Sequence, residues 1–199
     1  MGSDANRLRR KWQDYSGRNA IIAEHNFFET FQTLFLDTEY FIRRSPNEFK
    51  DLYINVELSK EEILEIYNPN TIITRHGVFP DYAITNNETN KTIYVEVKRQ
   101  DGWVEGKVRA DGRGNAHERS CKFFTPGLQK KLRESANLAE NILPFWVVFT
   151  GDITRDPCRV REIKLWYDGI EGHYFMWRNQ QNPELIIEHF INHIKPLID

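Results

Sequence analysis

Asp81 follows Pro80, and after fourteen intervening residues the chain reads Glu96-Val97-Lys98. Two carboxylates and one ammonium at this spacing could bring a divalent metal and a phosphodiester together. Hydrolysis of a phosphodiester needs an activated water and charge stabilisation on an anionic, five-coordinate transition state. Paired carboxylates hold Mg²⁺ through hard oxygen ligands and leave waters on the ion. A lysine beside them can orient or deprotonate that water, or stabilise developing charge. Taken bare, the pattern more often means a surface hairpin with a Glu96–Lys98 ion pair, because Pro-Asp and Glu-x-Lys are common. The surrounding residues change that balance.

Two strands must position these groups. Thr92 to Lys98 is rich in β-branched and aromatic residues and is expected to be a strand. Residues two apart share a face, so Ile93, Val95 and Val97 are expected in a core, with Tyr94, Glu96 and Lys98 opposite. Glu96 and Lys98 then lie roughly 6.6 Å apart along the strand. Phe79 to Ile84 is the second strand candidate, and the polar run Asn86 to Lys91 is turn-like. Pairing as a hairpin would carry Asp81 across to Glu96.

A chain of 199 residues is long enough for one domain, here expected over 1–199, with a sizeable core. With 40% hydrophobic and 13% aromatic residues it is globular rather than disordered. Its longest apolar runs, such as Phe145 to Phe149, are too short to span a bilayer, so no membrane partner is expected. The first residues lack the apolar core of a signal peptide. Cys121 and Cys158 form no CxxC pair, which speaks against a disulfide framework or a zinc site. A reducing cytoplasm fits best. Charge is uneven. From Lys98 to Arg133 there are ten Lys/Arg and four Asp/Glu, a net of +6, so the remainder carries −8 of the overall −2. One basic segment beside an acidic remainder suggests a polyanion at one face, although a solvated helix face would look the same.

The remaining elements outline a mixed central sheet flanked by helices, an α/β class. Asn19 to Phe35 is expected to be helical, with Ile21, Ile22, Phe28, Phe31, Leu34 and Phe35 mostly on one face. Ser59 and Glu62 have capping-box spacing and should open a helix reaching about Tyr67. Asn115 to Phe124 and Leu128 to Ala139 read as two helices separated by Pro126-Gly127. Pro144 to Thr150 is continuously apolar, as in a strand buried on both faces. Thr154 is expected to cap a helix through Pro157 to about Trp166. Tyr174 to Trp177 is a last strand, and Pro183 to Leu197 an amphipathic helix. His189 and His193 lie four apart on that helix; such a pair can bind metal but is far more often a solvated face. Glu24 could supply an extra carboxylate, though a surface glutamate is the commoner case. Trp103 is more often packed against its own domain than stacked at a DNA or dimer surface.

Beyond Lys98 the run Gly112-Arg113-Gly114-Asn115-Ala116-His117-Glu118-Arg119-Ser120-Cys121-Lys122 combines residue types that read base edges. Arginine bridges guanine O6 and N7, asparagine pairs with adenine N6 and N7, and alanine contacts thymine methyls. Glycines on both sides of Arg113 allow close backbone approach. A polar loop and helix cap is an equal alternative for this run alone. Together, Pro80-Asp81, Glu96-Val97-Lys98 and Gly114-Asn115-Ala116-His117-Glu118-Arg119-Ser120 resemble the PD-(D/E)XK nucleases, and within them the EcoRI group of type II restriction endonucleases. The resemblance covers nearly the whole chain.

That resemblance implies a single-domain restriction-endonuclease-like fold and a homodimeric, Mg²⁺-dependent enzyme, with Mn²⁺ able to substitute. Its substrate would be double-stranded DNA at a palindrome, CAATTG, cut after the first C to leave 5′ AATT overhangs. By family motif, Asp81, Glu96 and Lys98 are catalytic, and Asp81, Glu96 and the Val97 carbonyl are metal ligands. Asn115, Ala116, Glu118 and Arg119 would read the inner AATT, and Arg113 the outer C·G pair. Gly114, His117 and Lys122 complete the expected DNA-binding set, with His117 favoured as a packing residue. A bacterial cytoplasm and a cognate DNA methyltransferase in the host are implied. Two other functions stay open at this point: a repair or junction nuclease that reads shape, and a non-catalytic DNA-binding module.

Overall fold

A computed structural model describes residues 26–66, 74–102 and 117–199. Five strands form one mixed sheet in sequence order: β1 (Tyr40–Arg44), β2 (Tyr82–Asn86), β3 (Thr92–Arg99), β4 (Phe145–Thr150) and β5 (Tyr174–Trp177). β1–β2 and β2–β3 pair antiparallel, while β3–β4 and β4–β5 pair parallel. The expected hairpin joins β2 to β3. Its turn closes with the Asn86 N–H donating to the Lys91 carbonyl at 3.0 Å, and Asn90 takes a left-handed φ of 56°. The Asn86 side chain accepts from the Glu88 N–H at 2.8 Å, as asparagine in turns commonly does.

Helices cover both faces of the sheet. On one face, Ile93, Val95, Val97, Trp146 and Val148 pack against α1 (described over 26–34) and the C-terminal helical segment. Phe27 and Phe31 come from α1, Phe35 from the turn after it, and Ile186, Phe190, Ile194 and Ile198 from the C-terminal segment. On the other face, Tyr94, Phe145, Val147 and Phe149 meet Phe123, α3 (Pro126–Ala136) and α4 (Pro157–Trp166). β4 is buried at every position, because both its faces are covered. The second cover also encloses Tyr94 and Glu96, which sequence periodicity alone only places opposite the core face.

Several local expectations need correction. The short α2 (Lys60–Glu65) carries the full Ser59–Glu62 capping box, but it stops before Tyr67. Pro126 does not separate two helices; it opens α3 at the first turn, where its missing N–H costs nothing. The segment before it, Glu118–Phe124, is a 3₁₀ helix rather than an α-helix. Asp156, not Thr154, caps α4 by accepting from the Cys158 N–H at 3.1 Å. Thr154 instead bonds back to the Gly151 carbonyl at 2.8 Å inside a preceding 3₁₀ turn. The last helix is divided into α5 (Glu184–His189), a π-helical turn (Phe190–Ile194) and α6 (Lys195–Ile198). Pro196 explains the wide turn. It has no N–H for the carbonyl four residues back, and its ring would press on it. The Lys195 N–H bonds to Phe190 five residues back instead.

His189 is not a solvated partner of His193. Its Nε2 lies 2.9 Å from the Gly172 carbonyl, and its ring stacks on Trp146 at 5.6 Å. Burial pushes its pKa down to about 4, with the Gly172 bond opposing and His193 and His173 adding. His173 is shifted down as well, again first by burial. The neutral form is therefore the folded form. Above about pH 6.5 histidine is neutral in both states and contributes no slope. As pH falls from 6.5 to about 4, the unfolded chain takes up a proton that the folded chain refuses, so stability is lost. His189 alone should cost on the order of 3 kcal/mol by the end of that window. Urea unfolding at a series of pH values checks this, and His189→Gln should flatten that part of the profile. An unchanged slope in the variant would refute the assignment.

Candidate active site

The site begins where the β2–β3 ladder ends. Pro80 is buried and has no N–H, so pairing cannot run past Asp81. Tyr82 is in register with Val95, and one further step sets Asp81 opposite Glu96. The Asp81 carbonyl accepts from the Ser45 N–H at 2.8 Å, which ties it to the end of β1. Its carboxylate Oδ2 accepts from the Val97 N–H at 2.7 Å, just beyond the last paired residues of the β2–β3 ladder. Gly77 lets the chain before β2 pass close against the Phe49–Lys50 backbone. A Cβ there would lie 1.8 Å from the Phe49 carbonyl oxygen, which accepts from the Val78 N–H at 3.1 Å.

The orientation of β3 follows from its amides. The N–H groups of Tyr94 and Gln100 go to the Pro144 and Thr150 carbonyls on the β4 side, at 3.0 and 3.3 Å. Even-numbered amides thus face β4, and odd-numbered ones face β2. A strand residue turns its N–H and C=O toward the same neighbour. The Val97 carbonyl therefore faces the side where β2 has stopped, next to the Asp81 carboxylate.

Glu96 is 5% exposed, with Val147 of β4 on one flank and the Asp81 position on the other. Its Oε1 accepts from the Lys98 ammonium. Its Oε2 is buried with no hydrogen-bond partner. Such an orphan costs about 1–3 kcal/mol or more, and a water or a cation placed there would satisfy it. Lys98 stands at the edge of the cover, its side chain 18% exposed, so its ammonium reaches both Glu96 and solvent. Among the described residues no group of three or more His, Cys, Asp or Glu is arranged around a metal. Two carboxylates and a main-chain carbonyl nevertheless suit Mg²⁺, which keeps several waters and takes one or two carboxylates plus phosphate oxygens.

The expected DNA-reading residues divide. Arg113, Gly114, Asn115 and Ala116 lie outside the described residues, as do Glu24 and Trp103. Glu118, Arg119 and Lys122 are exposed on the 3₁₀ segment, while Ser120 and Phe123 point inward. His117 is fully buried, with its ring stacked on Trp166 at 5.3 Å and 11°. Its Nε2 lies 3.1 Å from Glu162 Oε2, and Arg159 Nη1 bridges both Glu162 oxygens at 2.9 and 2.7 Å. Burial pushes the His117 pKa down, and the Arg159 charge adds to that shift. Sequence reasoning did not link His117 to α4. The Arg159–Glu162 spacing of a helical ion pair was visible, but its third member lies 45 residues away in sequence.

A mixed sheet with helices on both faces, carrying a Pro-Asp and Glu-x-Lys site at the end of its central hairpin, defines a restriction-endonuclease-like nuclease domain. The family model described as type II restriction enzyme MunI matches residues 1–199. A type II restriction enzyme MunI from Mycoplasma sp is 49% identical over 202 residues, covering 100% of both chains. A crystal structure of MunI restriction endonuclease in complex with cognate DNA superposes with a TM-score of 0.79. It shares 50% identity and covers 94% of this chain and 97% of that one. The chain belongs to the MunI family of type II restriction enzymes and is a site-specific endonuclease. The shape-reading repair nuclease and the binding-only module are set aside by that membership.

Proposed function

We propose that this chain cuts both strands of double-stranded DNA at CAATTG, after the first C, by Mg²⁺-dependent hydrolysis, with Mn²⁺ able to substitute. The observation that carries the catalytic part is that the Asp81 carboxylate sits on the Val97 N–H, next in the chain to Glu96, whose Oε2 is orphaned and whose Oε1 accepts from the Lys98 ammonium. The site CAATTG rests on the family and on the Gly114 to Ser120 run, since the solved relative is bound to its cognate DNA. A palindrome cut on both strands by a chain with one active site calls for a homodimer, each subunit serving one strand. A cognate methyltransferase would protect the host genome, and the bacterial cytoplasm is where both would act.

Asp81, Glu96 and the Val97 carbonyl are the groups that would hold the cation. When bound, a divalent cation supplies positive charge to the phosphate oxygens and makes a bound water more acidic. The Val97 N–H keeps the Asp81 carboxylate turned toward Glu96. Glu96 holds the Lys98 ammonium at the rim, where Lys98 orients the attacking water and stabilises charge building on the phosphate. The helical cover keeps bulk water from the Glu96 side, which strengthens each of these interactions. Asn115, Ala116, Glu118 and Arg119 read the inner AATT, and Arg113 the outer C·G pair. Lys122 adds phosphate contact, since it is exposed beside Glu118 and Arg119.

The test is digestion of a long DNA of known sequence with Mg²⁺, followed by sequencing of the ends. All ends are expected within CAATTG, with 5′ AATT overhangs. Ends within another palindrome would overturn the role given to Arg113. No cleavage with either Mg²⁺ or Mn²⁺ would overturn the catalytic assignment.

A further inference from the structure

His117 opens the 3₁₀ segment and is locked at both ends of its own structure. Its carbonyl accepts from the Ser120 N–H at 3.2 Å and from the Ser120 hydroxyl at 2.6 Å, which closes the first turn. Its ring lies flat on Trp166 and bonds Glu162, both on α4. A carboxylate can only accept, so Nε2 carries the proton and Nδ1 is the bare nitrogen. That Nδ1 is buried without a partner. Burial pushes the Glu162 carboxyl up, but the Arg159 hydrogen bond outweighs it and holds the group below its usual range. Glu162 is thus a charged acceptor fixed by Arg159 and aimed at His117.

A buried ring nitrogen with no partner costs about 1–3 kcal/mol. A phenylalanine would pack on Trp166 without that cost, so stability is a poor account of histidine here. What histidine adds is direction. Its hydrogen bond sets the rotation of the ring, and with it the backbone from which Glu118 and Arg119 emerge. Those two exposed residues sit between the buried His117 and Ser120, so a tilt of the first turn would move both.

We infer that Glu162 and Trp166 of α4, acting through His117, are positioning residues that set Glu118 and Arg119 in register for sequence recognition. This rests on the reading of Glu118 and Arg119 as base-reading residues. Neither Glu162 nor Trp166 touches substrate in this scheme; each acts only through the histidine. The Glu162 side chain is held by α4 through Arg159 three residues earlier, so the register of the reading segment is referred to a helix packed on the sheet.

The experiment compares kcat/KM on a CAATTG duplex with that on duplexes carrying one altered inner base pair. Each variant's Tm and the ratio of Kd values for the same duplexes are measured alongside. Glu162→Ala is expected to lower the discrimination ratio about tenfold or more, the scale of one well-made base contact. Glu162→Gln keeps an acceptor for the His117 N–H and should restore the ratio to within about threefold. His117→Phe should keep or raise Tm while losing discrimination, which a purely structural role would not produce. If Glu162→Ala fails to fold, His117→Phe carries the test. Unchanged discrimination in His117→Phe, or equal losses on intended and altered sites, overturns the inference and leaves the nuclease reading standing. A wild-type protein that binds specifically but never cuts overturns the catalytic assignment, and the Kd ratios then decide the positioning role. A wild type that shows no preference among the duplexes overturns both.

Discussion

Replacing Lys98 with alanine is expected to lower cleavage by about 10³-fold or more, because water positioning and charge stabilisation are lost together. Site-specific binding should stay within about tenfold, since one rim cation is a small part of a phosphate-dominated affinity. The separation follows from geometry. The Lys98 ammonium meets the Glu96 carboxylate on β3, whereas the exposed Glu118, Arg119 and Lys122 stand on a different element. The variant also removes the described hydrogen-bond partner of Glu96 Oε1 and leaves that carboxylate more dependent on a cation. Its Tm should therefore rise more on adding Mg²⁺ than that of the wild type, through binding to the folded state. Single-turnover cleavage and gel-shift titration on the same duplex check the first part. Cleavage within about tenfold of wild type would remove Lys98 from the reaction.

Replacing Trp146 with alanine should give the largest stability loss among the core positions. Trp146, the second residue of β4, is fully buried, with ring contacts to Phe27, Phe31 and Phe190 and a stacked His189. Truncation of a buried tryptophan costs about 3–5 kcal/mol. For a chain of this size that lowers Tm by about 6–20 °C, and it removes a large share of the roughly 5–15 kcal/mol that a domain holds. Trp146→Phe should cost less than half as much. Its smaller ring leaves a gap, but the substitution also removes the buried Nε1–H, which has no acceptor. Thermal melts of the two variants check this. Equal losses would mean that ring volume, rather than mere aromatic filling, holds the two helical elements to the sheet.

The placement of Asp81, Glu96 and Lys98, the proposed catalytic groups, was partly legible because it depends on local pattern. Period-two alternation puts Glu96 and Lys98 on one face of β3, and the Asn86 to Lys91 turn forces β2 back along it. The Ser59–Glu62 capping box and the buried β4 were legible for the same reason. The strand expected over Phe79 to Ile84 begins instead at Tyr82, so the position of Asp81 just beyond the end of the ladder is a finding of the structure.

Other features were decided by contacts between distant segments. Whether Glu118 to Phe124 becomes an α-helix or a 3₁₀ helix depends on Ser120 bonding back to His117 and on the ring of His117 meeting α4. Asp156 rather than Thr154 caps α4 because α4 starts at Pro157, directly after Asp156, while Thr154 lies in the 3₁₀ turn that follows Gly151 (φ 82°) and donates to its carbonyl. Glu96 became a buried, half-satisfied carboxylate only once helices closed over the second face of the sheet. Local chemistry thus placed the candidate reacting groups through backbone periodicity and turn preference, which act over a few residues. Burial, orphaned polar atoms and the anchoring of His117 arise from packing between segments far apart in the chain, so they exist only in the folded protein.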